Sequence, residues 1–434
     1  MNIDQYYVGA AYFDETRHCL VPSDFAPDRE PISIVEKVET FIRINRASQD
    51  FARYSQILNA TCPVAVPYAP LDGKRAAPNT SEIIIMSPTP CHTPTMYDLY
   101  NQEDRQIFVA NQMLAFSWEM TRQALLALGA QVKVTSDIYP NTATNPLMAT
   151  DGTVLPIPQI FARDPGVIVG DIFFTPGEQA THKSLVCAAV GGQKSFIDKL
   201  VMGGLINEMC HVSASKKQDH ARAVVAAFGS AGKQLTLKTI DAFFEGGDVI
   251  VDSRKGLIFV GYDEAAHVAY HGVHGNIQSL QKEFGILTGC SVVVIERPLT
   301  LDGNTRQNGE RFHLDTFMNV LPKGELLIDS RYTSQGSLDV LKKIYGDDVI
   351  LIGKDNLSSV KGPAGDEDVP IYPPNLVPVG DTLLMPSCST SLKSELQQRG
   401  YQVVSPEDFN VPLGYTYMRG GSMHCITHTV PQHG

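Results

Sequence analysis

The chain reads as an α/β protein made of a repeated strand–strand–helix–strand unit that closes radially. Three observations carry that expectation. A pattern of hairpin, helix and strand recurs from Glu82 onward. Gly-Asp or Lys-Gly pairs sit where the hairpins must turn, as left-handed turn residues require. Five units leave one strand over, which a ring accommodates by pairing its last strand with its first unit and so protecting sheet edges.

The elements follow in order. The first unit runs from "EIIIMS" through an amphipathic helix around Ile107 to Leu128 into "AQVKVTS". The second opens with "QIFARDPGVIVGDIFFTP" and closes with "KQLTLKTI"; its long connection holds two helical patterns, "FIDKLVMGGLINEM" and "DHARAVVAAFGSAG". The third opens with "FFEGGDVIVDSRKGLIFVGY", predicts a helix near Ile277 to Phe284, and closes with "CSVVVIER". The fourth has the hairpin "FHLDTFMNVLPKGELLID", a helix near Leu338 to Tyr345, and "DDVILIG". The fifth has "LVPVGDTLLMPS", the helix "TSLKSELQQRG", and "YQVVSP". A final strand follows in "MRGGSMHCITHTV". Residues 1–80 read as a separate extension. It contains a helical face of Ile34, Val35, Val38, Phe41 and Ile42, and ends in a turn-rich linker from Pro67 to Ser81. Residues 81–434 form the repeated domain.

Composition narrows the function. The 434 residues carry a net charge of -12 and 43% apolar side chains. An acidic balance argues against nucleic acid and anionic membranes, and it is compatible with a cationic ligand. No run of about 18 apolar residues predicts a membrane span. The eight cysteines are dispersed and form no CxxC pair, which argues against a disulfide framework or structural zinc and fits a reducing cytosol.

Chemistry-bearing side chains gather near the starts of successive hairpins. These are Arg163 and Asp164, then Glu245 and Asp248 around a Gly-Gly, then His313 and Asp315, and finally His424 and Cys425 on the last strand. His313 and Asp315, two apart, are expected on one face of a strand. Radial closure brings these starts together at one end of the axis. A thiolate attacks an electrophilic carbon, with a histidine moving protons. Carboxylates beside a thiol raise its pKa, an arrangement that makes sense when the substrate supplies positive charge. A guanidinium fits, being planar, charged at neutral pH, and gripped bidentately by carboxylates.

The motifs "RDPGVIVGD", "FEGGDVIV", "FHLDTFMNVLPKG" and "GGSMHCIT" occur in order between Glu82 and Val430. Through them the chain resembles the guanidino-group-modifying superfamily: arginine deiminases, agmatine deiminases, dimethylarginine hydrolases and amidinotransferases. The resemblance implies a five-bladed α/β propeller (pentein fold) of ββαβ units. It implies Cys425 as nucleophile, His313 as general acid and base, and Glu245 and Asp164 as carboxylates that hold the guanidinium. Asp315 is implied as a further carboxylate at the substrate or the histidine; Asp248, read from the residues alone, is a candidate for binding substrate or for capping a turn and supporting the backbone. Arg419 and Arg311 are candidates for the substrate's distal end, where "GYDEAAHVAYHGVHG" replaces the Arg-containing segment of relatives.

The expected reaction is deiminase-like hydrolysis through a covalent amidino-thioether on Cys425, releasing ammonia and a ureido product such as citrulline. No metal or organic cofactor is expected. An amidinotransferase is the alternative, with an amine replacing water. A silent propeller used as a binding module is another. His267, His271 and His274 have the offsets of a metal face on a helix, but Gly272 interrupts them and the stretch reads as a loop at the propeller mouth. Cys91 and His92, among prolines, read as a loop after the first strand. Oligomeric state is open, since residues 1–80 could pack on the propeller or on a second subunit of a homo-oligomer.

Overall fold

The computed structural model describes residues 82–86, 124–135, 162–182, 217–262, 276–296, 313–353, 372–386, 388–405 and 422–430, with short strands and single residues between them. The helical face at Ile34 to Ile42, the linker from Pro67, most of the helix from Ile107, and "FIDKLVMGGLINEM" lie outside the described residues. So do Cys91, His92, His267, His271, His274, Arg311, Arg419 and the Gly420–Gly421 pair.

Five three-stranded sheets make up the propeller. In the first, β1 (Ile83–Met86) pairs parallel with β2 (Gln131–Val134). In the second, β3 (Val167–Val169) and β4 (Ile172–Pro176) form an antiparallel hairpin, and β5 (Thr236–Ile240) joins β4 in parallel. The third repeats this with β6 (Val249–Asp252), β7 (Leu257–Tyr262), helix α1 (Asn276–Thr288) and β8 (Ser291–Glu296). The fourth uses β9 (Met318–Val320), β10 (Leu326–Asp329), α2 (Gln335–Tyr345) and β11 (Val349–Ile352). The fifth uses β12 (Val377–Val379), β13 (Thr382–Leu384), α3 (Thr390–Gln398) and β14 (Gln402–Val404).

The first sheet takes its third strand from the far end of the sequence. β15 (Thr427–Thr429) runs antiparallel to β1, with His428 opposite Ile85. This closes the ring as the leftover strand predicted. The hairpins turn at Gly170, Gly256, Gly324 and Gly380, all with positive φ. Helices α1 and α2 begin earlier than their apolar periodicity marked. In α2 this is because Ser334 caps the N-terminus, its side chain accepting from the Ser337 N–H.

Packing follows from the middle strand of each sheet. Ile84 to Met86, Phe173–Phe174 and Leu326 to Ile328 are fully buried, as strands covered on both faces must be. Apolar clusters join each sheet to the next around the ring. Ile85 meets Phe173 and Phe228; Phe174 meets Ile258 and Phe284; Phe259 meets Ile328 and Leu341. Leu327 and Ile350 meet Leu383 and Leu396, and Leu384 and Val404 return to Ile84 and Leu125. Five sheets sharing five such interfaces form a closed five-bladed α/β propeller. A cavity of about 500 Å³ is lined by residues of all five sheets, among them Ile84, Ile168, Ile250, Asn319 and Pro378, and does not include Cys425 or His313 in its lining. Among the described residues no helix is long and apolar enough to cross a membrane.

Candidate active site

Each sheet contributes one chemistry-bearing residue just before its first strand. Asp164, Asp248, Asp315, Asn375 and Cys425 each stand within three residues of the strand that follows. These segments are turns, not strands, which corrects two expectations. Leu314–Thr316 is a 3-10 turn capped by His313, so His313 and Asp315 do not share a strand face. At three residues per turn, positions two apart point in different directions. Cys425 likewise lies in the turn preceding β15 rather than on the strand.

The divergence at "HLD" makes two layers. In the upper layer His313 Nε2 is 2.9 Å from Glu245 Oε2, and its Nδ1 is 3.6 Å from Asp164 Oδ1. Glu245 caps the 3-10 turn Gly246–Asp248 from an extended conformation. Asp248 does not face outward; its Oδ1 accepts from the Leu314 N–H at 3.3 Å, which ties the two turns together. The glycines of "EGGD" are steric necessities. A Cβ on Gly247 would stand 2.4 Å from His313 Nδ1, and one on Gly246 would stand 2.0 Å from the carbonyl oxygens of Arg163 and Gly166.

The lower layer holds the thiol. Cys425 is 2% exposed, and its Sγ lies 3.5 Å from Asp315 Oδ2. Asp315, fully buried, accepts from His424 Nδ1 at 2.7 Å. Asn375 organises the layer. Its Nδ2 donates to Cys425 Sγ and to the Asp315 carbonyl, each at 3.1 Å, while its Oδ1 accepts from the His424 N–H at 3.1 Å. The backbone N–H of Arg163 donates to the Cys425 carbonyl at 3.0 Å, joining the "RDP" turn to the thiol's turn. The Arg163 guanidinium donates to the Val249 carbonyl at 3.1 Å. Asp164 Oδ1 is buried with no hydrogen-bond partner among the described residues.

The electrostatics follow from burial against charge. Burial pushes the Asp164 carboxyl up to about 7; Glu245 and Asp315 add to this, while His313 and Lys217 oppose it. Burial disfavours charge on His313, but Asp248, Glu245 and Asp164 outweigh it and hold the imidazolium up to about 10. Burial, then Asp315 and Asp164, push the Cys425 thiol well up. Burial and the nearby Arg163 charge push His424 down, against the hydrogen bond to Asp315 and that carboxylate's charge. Against its own burial, Asp315 is held down by that hydrogen bond and by the charges of His424, His313 and Arg163. The site therefore sets an imidazole held towards its charged form among carboxylates, beside a thiol whose ionisation is disfavoured until positive charge is added.

The structure thus brings together Asp164, Glu245, Asp248, His313, Asp315 and Cys425. Sequence reasoning missed Asn375 and Lys217, whose ammonium pairs with Glu245 Oε1. Asn375 carried a usable signal, since the fifth hairpin was the one unit with no chemistry-bearing residue assigned at its start. Lys217 carried none, being one lysine on a long connection.

No family model and no curated protein matches the sequence. Among solved structures, the chain is similar to the substrate-bound N-terminal domain of ArgZ, an arginine dihydrolase of the ornithine-ammonia cycle in Cyanobacteria. Identity there is 17%, the TM-score is 0.46, and 80% of this chain and 98% of that one are covered. It is also similar to unliganded AgrE, at 16% identity, a TM-score of 0.45, and 81% and 40% coverage. A dimethylarginine dimethylaminohydrolase adduct matches at 12% identity, a TM-score of 0.45, and 80% and 99% coverage. The chain spans nearly the whole ArgZ N-terminal domain but about 40% of the full-length ArgZ and AgrE chains.

Proposed function

We propose that this protein is a cysteine-dependent hydrolase of a guanidino compound, with deiminase-like chemistry. The observation that carries the reading is the buried Cys425 thiol set among carboxylates, 3.5 Å from Asp315 Oδ2, an arrangement that suits a substrate bringing its own positive charge. Asp164 and Glu245 hold the guanidinium; Asp164 Oδ1 already lies buried without a donor among the described residues. The bound cation lowers the thiol's pKa, and the proton leaves Sγ with Asp315 Oδ2, at 3.5 Å, as an acceptor within reach. The thiolate attacks the central guanidinium carbon, forming an S–C bond. Asn375, 3.1 Å from the sulfur, stabilises its charge by donating to it. His313 as imidazolium gives its proton to the departing terminal nitrogen, which leaves as ammonia. The amidino-thioether is then attacked by water, whose proton goes to neutral His313. The C–S bond breaks, Asp315 returns its proton to the sulfur to restore the thiol, and the ureido product sheds its hydroxyl proton to solvent.

A screen of arginine, agmatine and methylated arginines for ammonia release tests this. Ammonia and a ureido product, formed without any acceptor amine and lost in Cys425→Ala, support hydrolysis. Turnover only in the presence of an acceptor amine makes the enzyme an amidinotransferase. Unchanged turnover in Cys425→Ala, with no adduct on Cys425 from a haloacetamidine probe, removes the nucleophile from the reading.

A further inference from the structure

The long connection of the second unit puts a cation of the protein's own on the carboxylate assigned to the substrate. Residues 217–230 are helical. The helix is anchored by buried Val224, Ala227 and Phe228 against Ile85 and Phe173, and the Gln218 side-chain amide donates to the Pro176 carbonyl. This fixes Lys217 at the edge of the site. Its ammonium pairs with Glu245 Oε1 and lies 5.2 Å from the centre of the Phe243 ring. His313 takes the other oxygen, Oε2, at 2.9 Å. Both oxygens of Glu245 therefore already accept from protein cations.

A guanidinium grips a carboxylate through two parallel N–H···O bonds, which need both oxygens. Placing it there with Lys217 still bound sets three cations on one carboxylate. His313 is held by Asp164 and Asp248 as well, and its side chain is 16% exposed. Lys217 is 23% exposed, on a flexible stem with solvent to turn into.

We infer that Lys217 is the resident counter-ion of Glu245 and that a guanidino substrate displaces its ammonium on binding. The inference rests on the guanidine reading above and adds a selectivity to it. A planar bidentate cation out-competes a tethered ammonium, whereas an alkylammonium compound offers Glu245 nothing that Lys217 does not already supply. The tethered amine therefore screens out amines of similar length and charge.

Calorimetric titration of arginine, agmatine and lysine tests this in a Cys425→Ala background, with Lys217, Lys217→Met and Lys217→Arg compared. Folding of each protein is checked by circular dichroism. Lys217→Met is expected to bind guanidines on the order of tenfold tighter and to gain measurable binding of lysine. Lys217→Arg, which tethers a guanidinium to Glu245, is expected to bind on the order of tenfold weaker. A role in merely positioning Glu245 predicts the reverse, loss in Met and rescue by Arg, and that result overturns the inference. Equal binding in all three overturns the inference alone. No binding of any guanidine to any of the folded proteins overturns the guanidine reading and the inference with it. If Lys217→Met does not fold, Lys217→Arg decides: weaker binding supports displacement, and equal or tighter binding refutes it.

Discussion

On the proposed guanidine hydrolysis, the pH dependence of kcat/KM follows from two buried groups of opposite duty. The parameter reports the free enzyme, so the relevant values are those of the empty site. Asp164, pushed up to about 7 by burial, must be ionised to hold a guanidinium. His313, held at about 10 by Asp248, Glu245 and Asp164 against burial, must be protonated to give the leaving nitrogen its proton. A guanidinium stays charged throughout this range. The expected profile rises tenfold per pH unit up to about 7, is level to about 10, and falls tenfold per unit beyond. In the complex the bound cation pulls Asp164 down, so the acid limb of kcat lies below that of kcat/KM. Asp164→Asn removes one carboxylate–guanidinium contact, worth roughly 1.5–3 kcal/mol or about ten- to a hundredfold in kcat/KM, and flattens the acid limb. The assay is initial-rate ammonia release from the active guanidine between pH 5 and 11. An acid limb unchanged in Asp164→Asn refutes the carboxylate assignment. A rate still climbing above pH 10 refutes His313 as the acid and makes unassisted thiol ionisation limiting.

Three further outcomes follow from the same geometry. Asn375→Ala removes the 3.1 Å donor to Cys425 Sγ, so kcat is expected to fall on the order of ten- to a hundredfold with KM little changed; a shift in KM alone counts against a role at the thiol. Gly247→Ala sets a methyl 2.4 Å from His313 Nδ1 and is expected to lower stability by about 1–3 kcal/mol and to displace the imidazole, with near-wild-type turnover as the contrary result. His220 is 3% exposed, and burial, with Lys217 adding, pushes it down to about 4. Because its folded pKa is depressed, the unfolded chain binds the proton first. Stability is full above about pH 6.5 and falls by about 3 kcal/mol towards pH 4. Urea unfolding at pH 7.5 and 4.5 should show that dependence shrinking in His220→Gln, and an equal dependence in both proteins refutes it.

Much of the fold was legible because the hairpin turns, the apolar middle strands and the leftover strand are local features. The four motifs in order mark the turns that bring Asp164, Glu245, Asp248, His313, Asp315 and Cys425 together, whereas Asn375 and Lys217 lie outside those motifs. The geometry of the site was not legible. "HLD" alternates as a strand would, and only tertiary packing makes Leu314–Thr316 a 3-10 turn that sends His313 up to Glu245 and Asp315 down to Cys425. The need for Gly246 and Gly247 arises from contacts with Arg163, Gly166 and His313, which no window of sequence contains. Lys217 reaches Glu245 because a helix from the long second-unit connection lies against the first two sheets.

The strand that shuts the ring and the turn that carries the thiol are one segment, Met423 to Thr429. Without that segment, the turns carrying Asp164, Glu245 and His313 would lack the Cys425 thiol beside them. Among the described strand pairings, that of β15 with β1 has the greatest sequence separation, so its loop-closure cost makes it a natural last step. On the proposed function, closing the ring and setting the thiol beside its carboxylates would then be one step.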